Sequence, residues 1–389
     1  MSRLKKYMTH KEIKFLVGLR GVGKTSLLNL FVQELLNSGV NEQNIIRLDL
    51  DTIFFSDVYD GDIFYEFITS QIQSDGETFL LLDEIKKITN WQTVLSKLKE
   101  NFNLNIYISS STNISEEDLF NFFDESPIFL KILPLSFKEF LNFHEFPFGI
   151  TLEEQFSFYL IYGGMPTIID SFFNDSITHS TLLGNFSASL VRDILSDNKV
   201  KDFNLMTNLI QKIYESSATV QSFNNFRKMF LDKLPAIRTV ENYTEKILQS
   251  HLIYSEPVTD IKKDTLYRYA KYYPVDFGFK NLLLGESELN EQILETLVYL
   301  EFLRLNVNIS ILRVDGQTIF QIERGDLKEK FYIGIIKNFS DTTKNFLDYV
   351  PFKSLKNMFS KWIITADEIN TISEEGIKIT NILDFLLSE

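Results

Sequence analysis

The chain has 389 residues, 44% of them hydrophobic and 14% aromatic, enough to bury well-formed cores in two or three domains. It contains no cysteine, which excludes disulfides and thiolate metal sites, and its four histidines (His10, His144, His179, His251) are too scattered to pair as zinc ligands. The formal charge of -14 argues against a generally DNA-binding surface; only residues 200–285 carry a positive balance, +3.

In chain order, the basic N-terminus is followed by no signal-like apolar stretch, and no run of about 18 apolar residues occurs, so a cytoplasmic location and no membrane contact are expected. Four short apolar runs then read as strands: Ile13–Gly18, Asn44–Leu50, Thr78–Glu84 and Leu104–Ser111. Helical patterns over Thr25–Asn37 and Trp91–Asn101 lie between them. Strands apolar at successive residues suit a parallel sheet covered on both faces, so an α/β core is expected. From Pro134 to about Leu195 the pattern is helical, broken at Tyr162–Pro166, "YGGMP". Residues 200–285 read as short helices followed by a strand-like His251–Val258, the order of a winged helix-turn-helix. The last hundred residues mix a helix in "ILETLVYLEFLRL" with strand-like "TIFQIER", "KFYIGIIK" and "KWIITA".

The first strand runs into Gly18-Leu19-Arg20-Gly21-Val22-Gly23-Lys24-Thr25, followed by Ser26. This matches G-x-x-x-x-G-K-[ST] at every fixed position, with a strand before and a helix after. Glycines let successive backbone N–H groups face phosphates, Lys24 reaches the β- and γ-phosphates, and Thr25 offers a hydroxyl to Mg²⁺. The helix beginning near Thr25 adds its positive end. The loop is therefore expected to bind ATP. The run Phe79–Leu82 delivers Asp83 and Glu84 at a strand end, Asp83 as a Mg²⁺ holder and Glu84 as the base that polarises the attacking water. The fourth strand ends in Ser109, Ser110, Ser111 and Thr112. From this cluster Ser110 is taken as a γ-phosphate sensor. Trp91 is assigned to the core.

The order "GLRGVGKTSLL", "LLLDEIKKITNWQTVLSKL", "IYISSST", "LPLSFKEF" and "YGGMP" resembles the bacterial and archaeal ATPases that join an AAA-like P-loop domain to a C-terminal domain of unknown function, close to the STAND and archaeal-type ATPases of the AAA+ superfamily. "TVENYTEKILQSHLI", "YYPVDFGFKNLLLG" and "LETLVYLEFLR" extend the resemblance over nearly the whole chain. It implies a P-loop core (1–133), a helical lid (134–199), a winged-helix-like domain (200–285) and a restriction-endonuclease-like α/β domain (286–389). Two departures stand out. Where the family has a Gly-Arg pair before "PLSF", this chain has Glu125 and Ser126, and no arginine lies between Arg47 and Arg192. In the nuclease-like domain Gln317 and Ile319 replace the two acids, and Glu301, Glu323, Asp326 and Lys337 lack the required order, so that domain is expected to be inactive.

The expected function is a Mg²⁺-dependent ATPase acting as a nucleotide-driven switch, with turnover that is slow or depends on a partner's arginine. The alternatives are a DNA-binding module using Arg227, Lys228, Lys233 and Arg238, with ATP as effector, or a scaffold that pairs with another protein or with itself.

Overall fold

The structure, a computed structural model, describes residues 2–51, 59–73, 76–114, 119, 122–123, 125–195, 200–230, 234–260, 265–285, 288–325, 329–339, 351–355 and 359–388. Lys233 and Asp326, singled out above, lie outside them. Contacts divide the chain into two compact units, Met1–Ile132 and Leu133–Glu389.

The first unit is a parallel sheet of β1 (Lys14–Val17), β2 (Ile45–Asp49), β3 (Thr78–Asp83), β4 (Leu104–Ser110) and β5 (Ile128–Lys131), in the order β2-β3-β4-β1-β5. Its helices are α1 (Ser2–Lys6), α2 (Lys24–Asn37), α3 (Gly61–Gln71) and α4 (Trp91–Asn101). Alternate residues of one strand feed two cores. Phe79 and Leu81 of β3 cluster with Leu28, Phe31 and Leu35 of α2. Leu80 and Leu82 cluster instead with Phe64 and Ile68 of α3 and with Val94, Leu95 and Leu98 of α4. Each such side chain contributes about 1.5–3 kcal/mol by leaving water, which is why these strands are continuously apolar. Trp91 packs edge-on against Phe15, ring centroids 6.1 Å apart, within this core.

Two elements go beyond the sequence expectation. Helix α3 is capped by Asp60, whose carboxylate accepts from the N–H groups of Asp62 and Ile63 at 3.0 and 3.2 Å. Strand β5 pairs with β1 from Lys14↔Ile128 to Val17↔Lys131. Because β1 has β4 on one side and β5 on the other, the chain order reverses there, and ligand crevices in open α/β sheets form outside the strand ends at such a point.

The second unit begins with α5 (Phe137–Phe143), α6 (Leu152–Tyr162) and α7 (Asp175–Ser189). Next come α8 (Phe203–Glu215), β6 (Val220–Gln221), α9 (Phe223–Lys228), α10 (Ile237–Gln249), β7 (Ile253–Asp260) and β8 (Thr265–Pro274). The remainder is α11 (Phe277–Leu284), α12 (Glu291–Arg304), β9 (Asn308–Val314), β10 (Gln317–Arg324), β11 (Glu329–Ile336), β12 (Ser360–Thr365), β13 (Thr371–Ile372), β14 (Lys378–Asn381) and α13 (Ile382–Leu387). Among the described residues its sheet has nine strands, ordered β13-β14-β12-β11-β10-β9-β7-β8-β6. The β7–β8 hairpin after α8–α10 does not end as a free wing: β7 pairs parallel with β9, Val258 opposite Ile311, so one sheet runs through position 285.

The "YGGMP" break and the "VDFGFK" segment meet in a buried latch. Gly163 ends α6 with a φ of +77°. The next N–H, of Gly164, donates to Asp276 Oδ2 at 2.7 Å, while Asp276 Oδ1 caps α11 by accepting from Phe279 N–H at 3.2 Å. Asn281 Nδ2 donates to the Leu160 and Ile161 carbonyls at 2.8 and 2.9 Å, satisfying acceptors that the end of α6 leaves open. Gly164 O accepts from Leu135 N–H at 2.7 Å, which brings the "PLSF" segment into the same knot. Burial raises the Asp276 carboxyl to about 6, against the opposite pull of backbone N–H groups from Gly164, Phe279 and Gly278.

A carboxyl raised in the folded state favours folding most when protonated. Its contribution should therefore decline as pH rises from about 4 through about 6, by on the order of 3 kcal/mol. In urea unfolding, the stability of wild type relative to Asp276→Asn should fall between pH 4.5 and pH 7. A difference that stays flat over that range would contradict the raised carboxyl.

Candidate functional site

The candidate site lies in the first unit, where β1, β3 and β4 end. Leu19 and Val22 are buried and pin the loop to the core, while Gly21 and Gly23 take φ of +86° and +92°. Gly18 has no room for a side chain, since a Cβ there would sit 2.0 Å from the Ile132 carbonyl oxygen following β5. Gly23 leads into α2 with no side-chain cap and no acidic residue in the first turn, so the positive helix end is left without a side-chain anion. Thr25 and Ser26 are exposed on that first turn.

Lys24 is buried, and its ammonium donates to the carbonyls of Gly18 and Leu19 at 2.8 and 3.0 Å and to Ser111 Oγ at 3.0 Å. The Ser111 hydroxyl in turn donates to Glu84 Oε1, and Ser111 N–H donates to Glu84 Oε2 at 3.2 Å. One serine thus ties the loop lysine to the acid at the end of β3. Glu84 itself stands in the left-handed region (φ 57°, ψ 50°), an uncommon conformation for a non-glycine residue, with its N–H donating to Ser109 O at 3.1 Å. This backbone turn is what aims its carboxylate towards Ser111.

Asp83 is buried at the end of β3. Its Oδ1 accepts from the Ser109 hydroxyl, and its Oδ2 accepts from Arg47 Nη2 at 3.1 Å. Arg20 pairs with Asp51 at 3.1 Å, and Asp51 also receives Lys87. Ser110 stands apart from this cluster, because its hydroxyl donates to Thr112 O at 2.7 Å while its carbonyl accepts from Gly18 N–H at 3.4 Å. The serine that reaches both Lys24 and Glu84 is its neighbour Ser111. Where the resembled family carries its Gly-Arg pair, Ser126 stands at the arginine position, and Glu125 beside it is engaged by Lys99 at 2.8 Å.

Arg47 and Asp51 carry ion pairs at this site that sequence reasoning did not assign. For Arg47 a signal existed: a lone cation in "IIRLDL", on a strand expected to be buried, needs an anion nearby. Which anion it meets depends on the register, and β2 pairs with β3 so that Leu48 faces Leu82 and Asp49 faces Asp83. Taken together, the loop combines an ammonium, positive-φ glycines and an uncapped helix start beside two carboxylates. That arrangement suits a polyphosphate with a divalent cation.

Of the nuclease-type residues of the second unit, the described ones make the following contacts. Glu301 bonds Arg304 at 3.2 Å, Glu323 pairs across the sheet with Lys330 at 3.2 Å, and Ile319 is buried in a hydrophobic cluster. Among the described residues no group of three or more His, Cys, Asp or Glu side chains is close enough to hold a metal, and no helix is long and apolar enough to cross a membrane.

Comparison with known proteins places residues 10–141 on the model of an AAA domain, and residues 153–290 on that of a domain of unknown function. An uncharacterized protein of Haemophilus influenzae is 26% identical over 382 residues, covering 96% of this chain and 94% of its own length. One from Methanocaldococcus jannaschii is 25% identical over 341 residues, covering 83% of this chain and 72% of its own. Among solved structures, a Walker-type ATPase of Pyrococcus abyssi aligns at a TM-score of 0.49 with 13% identity, over 72% of this chain and 93% of that one. The Aeropyrum pernix ORC1 protein, solved in complex with DNA, aligns at 0.29 with 12% identity, over 72% of this chain and 90% of that one.

Proposed function

We propose that this chain, an AAA-like P-loop ATPase, binds ATP with Mg²⁺ at the loop Gly18–Ser26 and hydrolyses it, using nucleotide occupancy to switch the conformation of the molecule. The observation that carries the reading is the chain of contacts from Lys24 through Ser111 to Glu84, because it joins the phosphate-binding cation to the hydrolytic acid in one hydrogen-bonded unit.

On ATP binding, Lys24 exchanges the Gly18 and Leu19 carbonyls for the β- and γ-phosphate oxygens, and loop N–H groups with the start of α2 take the remaining charge. Thr25 and Asp83 would hold Mg²⁺, which would supply positive charge against the charge developing on the phosphates. Glu84, released from Ser111, accepts a proton from the attacking water as the new O–P bond forms in line with the breaking one. The products are ADP and phosphate, and the catalysis is mostly positioning and electrostatics. With Ser126 where the resembled family has an arginine, and the neighbouring Glu125 bound to Lys99, this position supplies no cation to the leaving charge. Turnover is accordingly slow unless a partner or a second copy supplies an arginine.

Phosphate release by wild type and by Glu84→Gln provides the test. The variant should lose on the order of 100-fold or more in rate while still binding nucleotide, because the amide cannot accept the proton. Equal, negligible rates in both proteins would leave a nucleotide-binding switch without turnover. DNA contact through residues 200–285 gains little support, since Arg227 spends its Nε–H on the Pro235 carbonyl at 2.8 Å and the α10 face also presents Glu245.

A further inference from the structure

The geometry points to Arg47 as a positioning residue that competes with the divalent cation for Asp83 and so sets how strongly Mg²⁺ enhances nucleotide binding; this rests on the ATP-binding reading above. Both oxygens of Asp83 are engaged inside the fold. The Ser109 hydroxyl holds Oδ1, and the Arg47 guanidinium holds Oδ2 at 3.1 Å, with both partners largely out of water. Arg47 is anchored on three sides: Nε–H donates to Asn29 Oδ1 on α2 at 3.2 Å, one Nη donates to the carbonyl of Leu48, and the other donates to Asp83. The guanidinium therefore bridges the phosphate-loop helix, strand β2 and the acid of β3.

Its position has two consequences. First, a guanidinium in contact with Asp83 already neutralises the carboxylate that would draw in a hydrated dication, so the metal gains less from it than from a bare acid. Second, the pair is poorly screened because it is partly buried, and a dication entering within a few Å meets the fixed positive charge. Arg47 thus behaves as a resident counter-cation that keeps the site closed to a free metal ion. The anionic phosphates then become the means by which a metal is admitted. Its anchor on Asn29 of α2 couples this to the helix whose first turn carries Thr25.

The experiment measures the affinity of a fluorescent N-methylanthraniloyl ATP, by anisotropy, in EDTA and in millimolar Mg²⁺, for wild type and Arg47→Gln. The gain in affinity on adding Mg²⁺ should be about tenfold larger in Arg47→Gln, equivalent to about 1.4 kcal/mol of coupling. Arg47→Lys, which keeps a cation there, should stay near wild type. In an Asp83→Asn background the Arg47→Gln change should no longer alter the Mg²⁺ gain, which separates a specific Arg47–Asp83 effect from a general loss of positive charge. A melting curve on each variant verifies that it is folded. An unchanged or smaller Mg²⁺ gain in Arg47→Gln, or a shift that persists with Asp83→Asn, overturns the inference while nucleotide binding stands. Failure of wild type itself to bind the probe takes down the ATP reading and the inference with it.

Discussion

Lys24→Ala should lower nucleotide affinity by at least about 100-fold. Charge-assisted hydrogen bonds contribute about 1.5–3 kcal/mol each, and under the proposed function Lys24 makes them to two phosphate groups at once. The neighbouring cations are already committed: Arg20 to Asp51 and Arg47 to Asp83. Removing Lys24 also leaves the Gly18 and Leu19 carbonyls and the Ser111 hydroxyl without the donor they share, so the nucleotide-free protein should lose about 1–2 kcal/mol of stability as well. Titration with a fluorescent nucleotide measures the first effect and urea unfolding the second. Affinity retained within a few-fold of wild type would remove the lysine from the phosphate site, and with it the proposed function.

Gly278→Ala should strongly destabilise the second unit, costing about 3 kcal/mol. A Cβ at Gly278 would sit 2.2 Å from the Tyr162 carbonyl oxygen and 2.9 Å from Asp276 Oδ1. The first of these is backbone and cannot swing aside. Relief requires moving α11 away from the end of α6, which breaks the Asp276 bond to Gly164 and the two Asn281 bonds together. Gly184 supplies the internal control, because it sits exposed in α7 with nothing within 4 Å of its would-be Cβ. Gly184→Ala should stabilise by about 0.5–1 kcal/mol through helix propensity. Unfolding monitored by circular dichroism, with limited proteolysis to locate the change, distinguishes the two. A Gly278→Ala protein as stable as wild type would mean that the contact between α6 and α11 is not tight.

The elements most legible in the sequence were those whose burial is symmetric or whose chemistry is local. The strands around Phe15, Leu80 and Ile106 are readable because a strand covered on both faces must be apolar at every residue. The loop from Gly18 to Thr25 is readable because phosphate binding by backbone requires glycines and a lysine at fixed chain spacing. Strand β5 was not readable: Ile128–Lys131 is four residues long and runs on through equally apolar neighbours, so its pairing with β1 is its only mark. Strand β8 was hidden in another way, because its alternation in "TLYRYAKYYP" gains meaning only once β6 and β7 lie on either side.

By itself the sequence determined a P-loop at the end of a buried strand, two acids at the end of another, and an α/β core to hold them. These follow from local pattern, since hydrophobic periodicity and loop chemistry operate over a few neighbouring residues. Tertiary structure alone decided which groups those acids meet. Ser111, not Ser110, reaches Lys24 and Glu84; Arg47 sits on Asp83; Asp276 closes on Gly164 from 112 residues away. Such partners are set by strand order and register, and a one-residue change of register would turn Arg47 to the other face of the sheet. The physical reason is that a buried charge must find its counter-charge in space, where separation along the chain imposes no constraint.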